Sequence, residues 1–345
     1  MLSFNLENFS SKLIDQVITT IYSLSLIKQA EINIYSLNEK LLKKALHFGE
    51  LLRKLSPNSH LYLKNTETLC FKPDQLLSGT YVLNLETSNN LSEILSACAL
   101  ITLFTPGRTR ITFNGVTAGI EGELPIEFFD AVVLPFYKQF VSIRFNILSS
   151  KFKSMGEVDL IIDASKEASF HDTFNSIRLR NTPIVELSTL QEVNGISYAS
   201  INLKPRRVVE RQINGVKQPL FGKVSKLKLQ KRYDKSDEIG SCVLLIANIL
   251  TIKSSIFRLG FVNYGEKSIP AEEVGKVCSY ALIQSLEEGF PVPIGHFFHY
   301  LPQLLLLGGR LKIKGDTVDL TSLLDVYNTF FPDMFGIDLD YVFCR

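Results

Sequence analysis

Tryptophan is absent from the 345-residue chain, methionine occurs three times and cysteine five times. The cysteines are scattered, without a CxxC pair or the spacing of a zinc site or a disulfide framework. The sequence also lacks an uninterrupted apolar run of about 18 residues, which a membrane-spanning helix needs, and its start does not resemble a signal peptide. We therefore expect a soluble intracellular protein with reduced thiols, no bound metal and no membrane contact.

A large excess of charge of one sign is missing too, because 37 lysines and arginines face 35 acids and the net charge is +2. A chain with so small a net charge binds nucleic acid only where its cations are unevenly placed. Residues 204–235 are such a place, with eleven lysines and arginines against two acids. This segment is the candidate surface for RNA or for an acidic partner.

Two patterns inside this basic segment predict a binding surface. Four cations cluster within residues 204–211, and three others alternate with Leu227, Leu229 and Tyr233, which would give a β-strand one cationic face. Such a face can contact phosphate groups or an acidic peptide, and the alternative is the solvated face of a helix and a hairpin. The seven candidate residues are Lys204, Arg206, Arg207, Arg211, Lys226, Lys228 and Arg232.

Helix and strand patterns alternate along the whole chain, and the length favours at least two substructures. Apolar periodicity predicts helices at residues 9–30, 39–55, 91–104, 125–140, 268–288, 297–307 and 320–331. Short alternating runs predict strands at residues 59–63, 68–72, 79–85, 109–113, 157–163, 310–313 and 337–343.

A loss of pattern indicates where the first domain boundary lies. Residues 166–182 have no clear periodicity, and the composition changes between residues 183 and 262. We predict that residues 1–182 and 263–345 form a large domain. Residues 183–262 would form a smaller inserted α/β domain.

Four segments, in order along the chain, resemble motifs of the RNA 3′-terminal phosphate cyclase family. The segments are LCFKP at 69–73 with LSGTY at 77–81, TRITFNGVT at 109–117 with LPF at 134–136, MGEV at 155–158, and GEKSIPAEEVG at 265–275. The resemblance implies an α+β fold with three repeats, each of two helices on a four-stranded sheet. It also implies a smaller α/β domain inserted in the third repeat.

The resemblance implies a chemistry that depends on one histidine near the carboxyl terminus. In the active cyclases this histidine attacks ATP, becomes adenylated and passes AMP to an RNA 3′-phosphate. Counted back from the segment 320–332, the nucleophile position holds Asp319. A carboxylate is anionic at pH 7 and repels phosphates, so we expect no catalytic residue here, no adenylation and no cofactor.

The phosphate-binding motifs of the family are altered as well. Its glycine and arginine pattern has no match in residues 5–29, its GTAGS loop reads ETSNN at 86–90, and its triple glycine reads SMG at 154–156. Glycines that let backbone N–H groups approach a phosphate are the part that such a site can least lose. The nucleophile and the phosphate cradle are therefore both missing.

Two further segments, FNGVTA at 113–118 and SIP at 268–270, resemble the noncatalytic branch of the family. This resemblance implies a ribosome-assembly factor of the nucleus and nucleolus that is needed for pre-rRNA processing toward 18S-type rRNA. The implied partners are a large ribosome-assembly GTPase, proteins of the small-subunit processome and pre-ribosomal RNA. The alternatives are a divergent RNA-processing enzyme, either a cyclase or a pre-rRNA endonuclease, and an RNA-binding module alone.

Two smaller groups of residues complete the candidate sites. Arg108, Arg110, Gly115 and Thr117 lie around the strand at 109–113 and predict a relic anion pocket. His296 and His299 have a spacing that suits a metal, but no acid or cysteine lies close by in the sequence. We expect this pair to be packed or surface-facing rather than metal-bound.

Overall fold

A computed structural model shows four four-stranded sheets among the residues that it describes. These are residues 1–11, 13–36, 38–85, 91–119, 123–164, 170–184, 186–252, 255–315 and 317–345, without the side chain of residue 319. Three of the sheets have the same strand order and the same connections, and one sheet differs. The predicted α+β fold of three repeats with an added α/β unit is confirmed.

The first repeat has the connection β-α-β-α-β-β. Its elements are β1 (Leu2–Asn5), α1 (Ile14–Lys28), β2 (Ile32–Tyr35), α2 (Glu39–Leu52), β3 (His60–Leu63) and β4 (Thr68–Lys72). The sheet order is β1-β2-β4-β3, with β1 parallel to β2 and the other pairs antiparallel. Helix α2 begins after Asn38, whose side-chain oxygen accepts hydrogen bonds from the N–H groups of Lys40 and Leu41.

The second repeat has the same connection, but its second helix is broken. Its elements are β5 (Gly79–Asn84), α3 (Leu91–Leu103), β6 (Arg108–Val116), α4 (Ile126–Phe128), a π-helical turn (Phe129–Val133), α5 (Leu134–Tyr137), β7 (Ser142–Ser149) and β8 (Met155–Asp163). The sheet order is β5-β6-β8-β7. The change of helical register lies beside Pro135, which has no N–H to donate to the preceding turn.

The fourth sheet belongs to an inserted unit. After α6 (Phe170–Arg180) follow β9 (Leu187–Ser200), a 3-10 turn (Ile201–Arg206), α7 (Val208–Leu220), β10 (Leu227–Asp234), β11 (Ser241–Thr251), β12 (Ile256–Tyr264) and α8 (Ala271–Glu287). The sheet order is β10-β9-β11-β12, so β10 is an edge strand. Helices α7 and α8 pack against each other and against this sheet. The limits 183–262 of the inserted domain stay a prediction, and α8 lies beyond them.

The third repeat follows the inserted unit. Its elements are β13 (Val292–Pro293), α9 (Phe297–Leu307), β14 (Gly309–Lys314), α10 (Thr317–Phe330), β15 (Phe335–Asp338) and β16 (Tyr341–Cys344), in the sheet order β13-β14-β16-β15. Ile184 forms a parallel bridge with Gly309, and Val292 pairs in parallel with Ile313. Ile184 and Val292 thus both pair with β14, although the inserted unit lies between them in the sequence. The inserted unit therefore interrupts one edge strand of the third repeat. Gly309 permits this approach because a Cβ atom there would lie 1.8 Å from the carbonyl oxygen of Ile184.

One apolar cluster contains residues from all three repeats and from the inserted unit. Helix α1 packs against α3 and α10, which brings helices of the three repeats together. The ring of Phe4 stacks on that of Phe330, with 5.6 Å between their centroids. No helix in the described part of the chain is both long and apolar enough to span a membrane.

The structure differs from the sequence-based prediction at several elements. Residues 170–180, predicted to lack periodicity, form α6, in which only Phe174 and Ile177 are buried. The predicted strand at 337–343 is the hairpin of β15 and β16, because Leu339 has a φ of +54° and reverses the chain. Short strands at Leu2–Asn5 and Ile32–Tyr35, and the longer β7, were not predicted.

Candidate functional site

A cleft of about 660 Å³ lies where the second repeat, the inserted unit and the start of α9 meet. Residues Gly119 and Glu123 follow β6, Phe152 precedes β8, and Tyr264 ends β12. The ring of Phe152 stacks on Tyr198 of β9, with 5.3 Å between the centroids. This contact fixes the inserted unit against the second repeat and forms one wall of the cleft.

His296 is the imidazole that lines this cleft. It follows β13 and directly precedes α9, and its ring meets that of Phe128 edge-on at 5.3 Å. Burial lowers the pKa of His296 to about 4, so the ring is neutral at physiological pH. Its Nδ1 atom is buried and has no hydrogen-bond partner in the described residues.

His299 has a different environment, one helical turn further along α9. Its Nδ1 atom is 2.7 Å from the hydroxyl oxygen of Ser96 on α3, and the residue is 1% exposed. Burial, and then the neighbouring His296, lower its pKa to about 3. His299 is therefore a packed residue and His296 faces the cleft. Among the described residues, no three His, Cys, Asp or Glu side chains lie together as metal ligands would.

Glu123 brings a carboxyl group to the same cleft, and its pKa is raised to about 8. Burial is the main cause, and the carboxylates of Glu93 and Asp15 add to it. The pKa of Glu93 is itself raised to about 7, mainly by burial, although Gln16 donates a hydrogen bond of 2.9 Å to its carboxyl group. Lys44 pairs with Asp15 beside them.

These acids were not predicted from the sequence, because they come from α1, α3 and the loop before α4. The one available signal is Glu93, a single acid in the otherwise apolar helix α3. At neutral pH the raised pKa values leave Glu93 and Glu123 partly protonated, so each can donate as well as accept a hydrogen bond.

The predicted relic anion pocket is not assembled. Arg108 and Arg110 lie on the exposed face of β6 and pair with Asp163 at 3.6 Å and Asp159 at 2.5 Å. Gly115 and Thr117 lie at the other end of the strand, about 20 Å away at the rise of an extended chain. Thr117 is buried, and its hydroxyl donates to the carbonyl of Lys151 and accepts from its N–H. The structure therefore does not bring these four residues together.

Three of the seven predicted basic residues form one exposed cluster, which we call the basic turn: Lys204, Arg206 and Arg207. They lie in and after the 3-10 turn at the start of α7, the positive end of the helix dipole. Cations there do not stabilise a helix, and Arg207 also has a left-handed φ of +51°. Folding gains little from this arrangement, which favours a role in binding an anion.

The other four predicted cations are separate from the basic turn. Arg211 donates two hydrogen bonds of 2.7 Å to Glu272, and Lys228 pairs with Glu192 at 2.8 Å. Arg232 pairs with the buried Glu127 of the second repeat. Lys226 is exposed at the start of β10. Arg232 therefore holds the inserted unit in place, and its side chain is not free for RNA.

Asp319 lies in the first turn of α10, and its side chain is outside the described residues. The altered loop at 86–90 is also outside the described part of the chain. Of the altered phosphate motifs, SMG at 154–156 is described, and Gly156 is buried at the start of β8. A Cβ atom on Gly156 would lie 2.4 Å from the carbonyl oxygen of Ser149, so this glycine permits strand packing.

Comparisons with known proteins give one consistent result. A sequence model of the family described as RNA 3′-terminal phosphate cyclase matches residues 15–285, more than three quarters of the chain. The chain is 25% identical over 281 residues to the RNA 3′-terminal phosphate cyclase of Pyrobaculum neutrophilum, which covers 80% of this chain and 76% of the relative. It is 25% identical over 274 residues to that of Pyrococcus abyssi, covering 78% and 74%.

A third relative, the RNA 3′-terminal phosphate cyclase of Desulfurococcus amylolyticus, is 26% identical over 279 residues, covering 77% of this chain and 72% of its own. Among solved structures, the enolpyruvyl transferase NikO from Streptomyces tendae covers 44% of this chain and 29% of that one, at 14% identity. Its TM-score of 0.27 is too low to support an argument.

Proposed function

Because the chain belongs to the RNA 3′-terminal phosphate cyclase family, we propose that it is a noncatalytic member that acts in ribosome assembly. The observation that carries this proposal is Asp319, which the family resemblance assigns to the position of the cyclases' nucleophilic histidine. A carboxylate there lacks the neutral ring nitrogen with which the cyclases accept AMP, and its negative charge disfavours approach to a triphosphate.

The positions of the five histidines support this proposal. His47 lies in α2, His60 in β3 and His171 in α6, none of them in the strand and helix around Asp319. His299 is committed to Ser96, and His296 lies before α9. A nucleophile from another position would need a neutral imidazole beside a bound triphosphate, and among these five only His296 lines the cleft.

The proposed assembly role rests on partners rather than on chemistry. We propose a large ribosome-assembly GTPase, proteins of the small-subunit processome and pre-ribosomal RNA as those partners, in the nucleolus. The basic turn supports an RNA contact, because its three cations are exposed and gain nothing from the end of the helix where they stand. Processing toward 18S-type rRNA would then depend on the protein as an adaptor.

Affinity purification of the tagged full chain from cell extract tests this proposal. We expect a large GTPase and processome proteins to be recovered with pre-ribosomal RNA, and the GTPase to remain after nuclease treatment. Recovery of RNA without the GTPase would show an RNA-binding module instead.

The second candidate is a divergent RNA-processing enzyme, either a cyclase or an endonuclease. The observation that favours it is the cleft, which places His296 and the carboxyl group of Glu123 on one surface. A neutral imidazole and a protonated carboxyl group can act as general base and general acid. Turnover of RNA 3′-phosphate ends, or cleavage of pre-rRNA, that is lost in His296→Ala would establish this alternative.

A further inference from the structure

Phe221 has an exposure that the fold does not explain. Among the described residues, which include all 24 phenylalanines, it is the one exposed phenylalanine, with 89% of its surface open to solvent. A phenyl ring so placed buries almost no apolar area and adds little to the stability of the chain. The ring is therefore free to contact a partner outside the chain.

The backbone around Phe221 is nevertheless fixed. Phe221 directly follows α7, and the N–H groups of Lys223 and Val224 both donate to the carbonyl of Leu220, at 3.0 and 3.3 Å. Val224 then packs against the main apolar cluster. The ring is thus presented on a closed turn, so little conformational entropy is lost when it binds.

A second exposed ring, Tyr280, stands on the neighbouring helix α8 and is 57% exposed. The two helices run parallel, since Arg211 and Glu272 pair at their starts and Lys223 and Glu287 pair at their ends, at 3.4 Å. Between these pairs, Ser279 donates a hydrogen bond to the carbonyl of Val216. Both rings therefore stand on the solvent side of one rigid two-helix layer.

Three exposed lysines accompany the two rings, namely Lys217 on α7, Lys223 in the turn, and Lys226 before β10. We call Phe221, Tyr280 and these lysines the aromatic–lysine face. Among the described residues, Lys223 is the one of these three lysines with an ion pair, at 3.4 Å from Glu287. Interfaces between proteins are poor in lysine, whereas aromatic rings beside lysines suit bases and phosphates.

We propose that the aromatic–lysine face binds a single strand of RNA, with a base stacked on Phe221 and phosphates held by Lys217, Lys223 and Lys226. This inference rests on the RNA contact of the proposed function, extends it from the basic turn to a second surface, and specifies that the RNA there is single-stranded. Duplex RNA keeps its bases stacked inside the helix, so it has no base to offer to the rings. The edge strand β10, about 26 Å long, joins this face to the basic turn.

The test is the affinity of the purified full chain for a labelled oligouridine of about 12 nucleotides, within the usual site size of single-strand binders. We expect Phe221→Ala to raise Kd about 5- to 150-fold, the loss of one stacked base, without changing the salt dependence. Phe221→Tyr should bind as the wild type does. Lys217→Gln and Lys223→Gln should each make the slope of the logarithm of the association constant against the logarithm of the salt concentration less negative by about 0.7.

The matched control is Leu179→Ala, which removes an equally exposed apolar side chain from α6. Wild-type affinity in Phe221→Ala, or equal affinity for duplex and single strands, would overturn the inference. So would a Phe221→Ala variant that keeps RNA but no longer recovers the GTPase, since the face would then bind protein. If Phe221→Ala binds RNA as the wild type does and still recovers the GTPase, this inference fails and the proposed function stands. If RNA binding depends on Phe221 but the GTPase is not recovered, the proposed function fails and this inference stands.

Discussion

Glu93 and Glu123 make the stability of the protein depend on pH in an unusual direction. Their pKa values are raised to about 7 and about 8, mainly by burial, while a glutamate in an unfolded chain titrates near about 4.3. Between these values the folded protein holds more protons than the unfolded chain does. The free energy of unfolding therefore falls as the pH rises from about 5 to about 8.

The substitution Glu123→Gln tests this dependence, because glutamine keeps the neutral form at every pH. We expect Glu123→Gln to raise Tm by a few degrees at about pH 8.5, where the wild-type carboxyl group is charged, and to change it little at about pH 5. Thermal unfolding followed by circular dichroism measures both values.

The control for this prediction is Glu39→Gln on α2. Glu39 is exposed, and its hydrogen bond with Lys43 lowers its pKa, so glutamine should not raise Tm at the higher pH. A difference in Tm between Glu123→Gln and the wild type that does not change with pH would contradict the raised pKa of Glu123.

At the scale of elements, the side chain of Arg232 joins strand β10 to the second repeat. Arg232 pairs with Glu127, which is 5% exposed, and its guanidinium lies 4.7 Å from the centre of the Tyr198 ring. We expect Arg232→Gln to lower the free energy of unfolding by about 1–3 kcal/mol, because it leaves a buried carboxylate without its charged partner, with the hydroxyl of Ser150 as its remaining donor. Urea denaturation measures the change.

Lys228 offers the matched comparison on the same strand. Its side chain is 71% exposed and pairs with Glu192, so Lys228→Gln should cost about 0–1 kcal/mol. Equal effects of the two substitutions would contradict a structural role for Arg232. The comparison also separates Arg232 from the residues that are free to bind RNA.

The elements that the sequence predicts well are those with a strong pattern. The helix predicted at 297–307 has the limits of α9, and the helix predicted at 39–55 begins, as α2 does, at residue 39. The helix predicted at 268–288 begins three residues later, at Ala271, where Pro270 takes the N-cap position. Strand β1 is four residues long and contributes one buried side chain, so no alternation reveals it. Most helices are attached to the rest of a protein by an apolar stripe. Helix α6 is attached in part by Arg178, which donates hydrogen bonds to the carbonyl of Leu305, and its apolar periodicity is therefore weak.

The candidate site was less predictable than the fold. The sequence indicated the basic segment, because its cations are contiguous, and the structure gathers three of them into the basic turn. It did not reveal the cleft, since Glu123 and His296 are far apart in the chain and meet only through the packing of the second repeat, the inserted unit and α9. Phe221 was overlooked because exposure cannot be read from a single aromatic residue.

At the scale of the whole molecule, the three repeats and the inserted unit form one body with a shared apolar cluster. The fold is that of a family whose relatives are named as cyclases, at 23–28% identity. Fold alone does not carry activity, which depends on the residues at the site. The proposal of a noncatalytic role therefore depends on the assignment of Asp319 to the position of the family's nucleophilic histidine.

The most direct test of that proposal is incubation of the purified protein with ATP labelled at the α-phosphate, beside an archaeal RNA 3′-terminal phosphate cyclase as positive control. We expect no covalent AMP on the wild type, and none on Asp319→His, because the glycine cradle is altered as well. A labelled wild-type band that disappears in His296→Ala would contradict the proposal, since the protein would then be an adenylating enzyme with a relocated nucleophile.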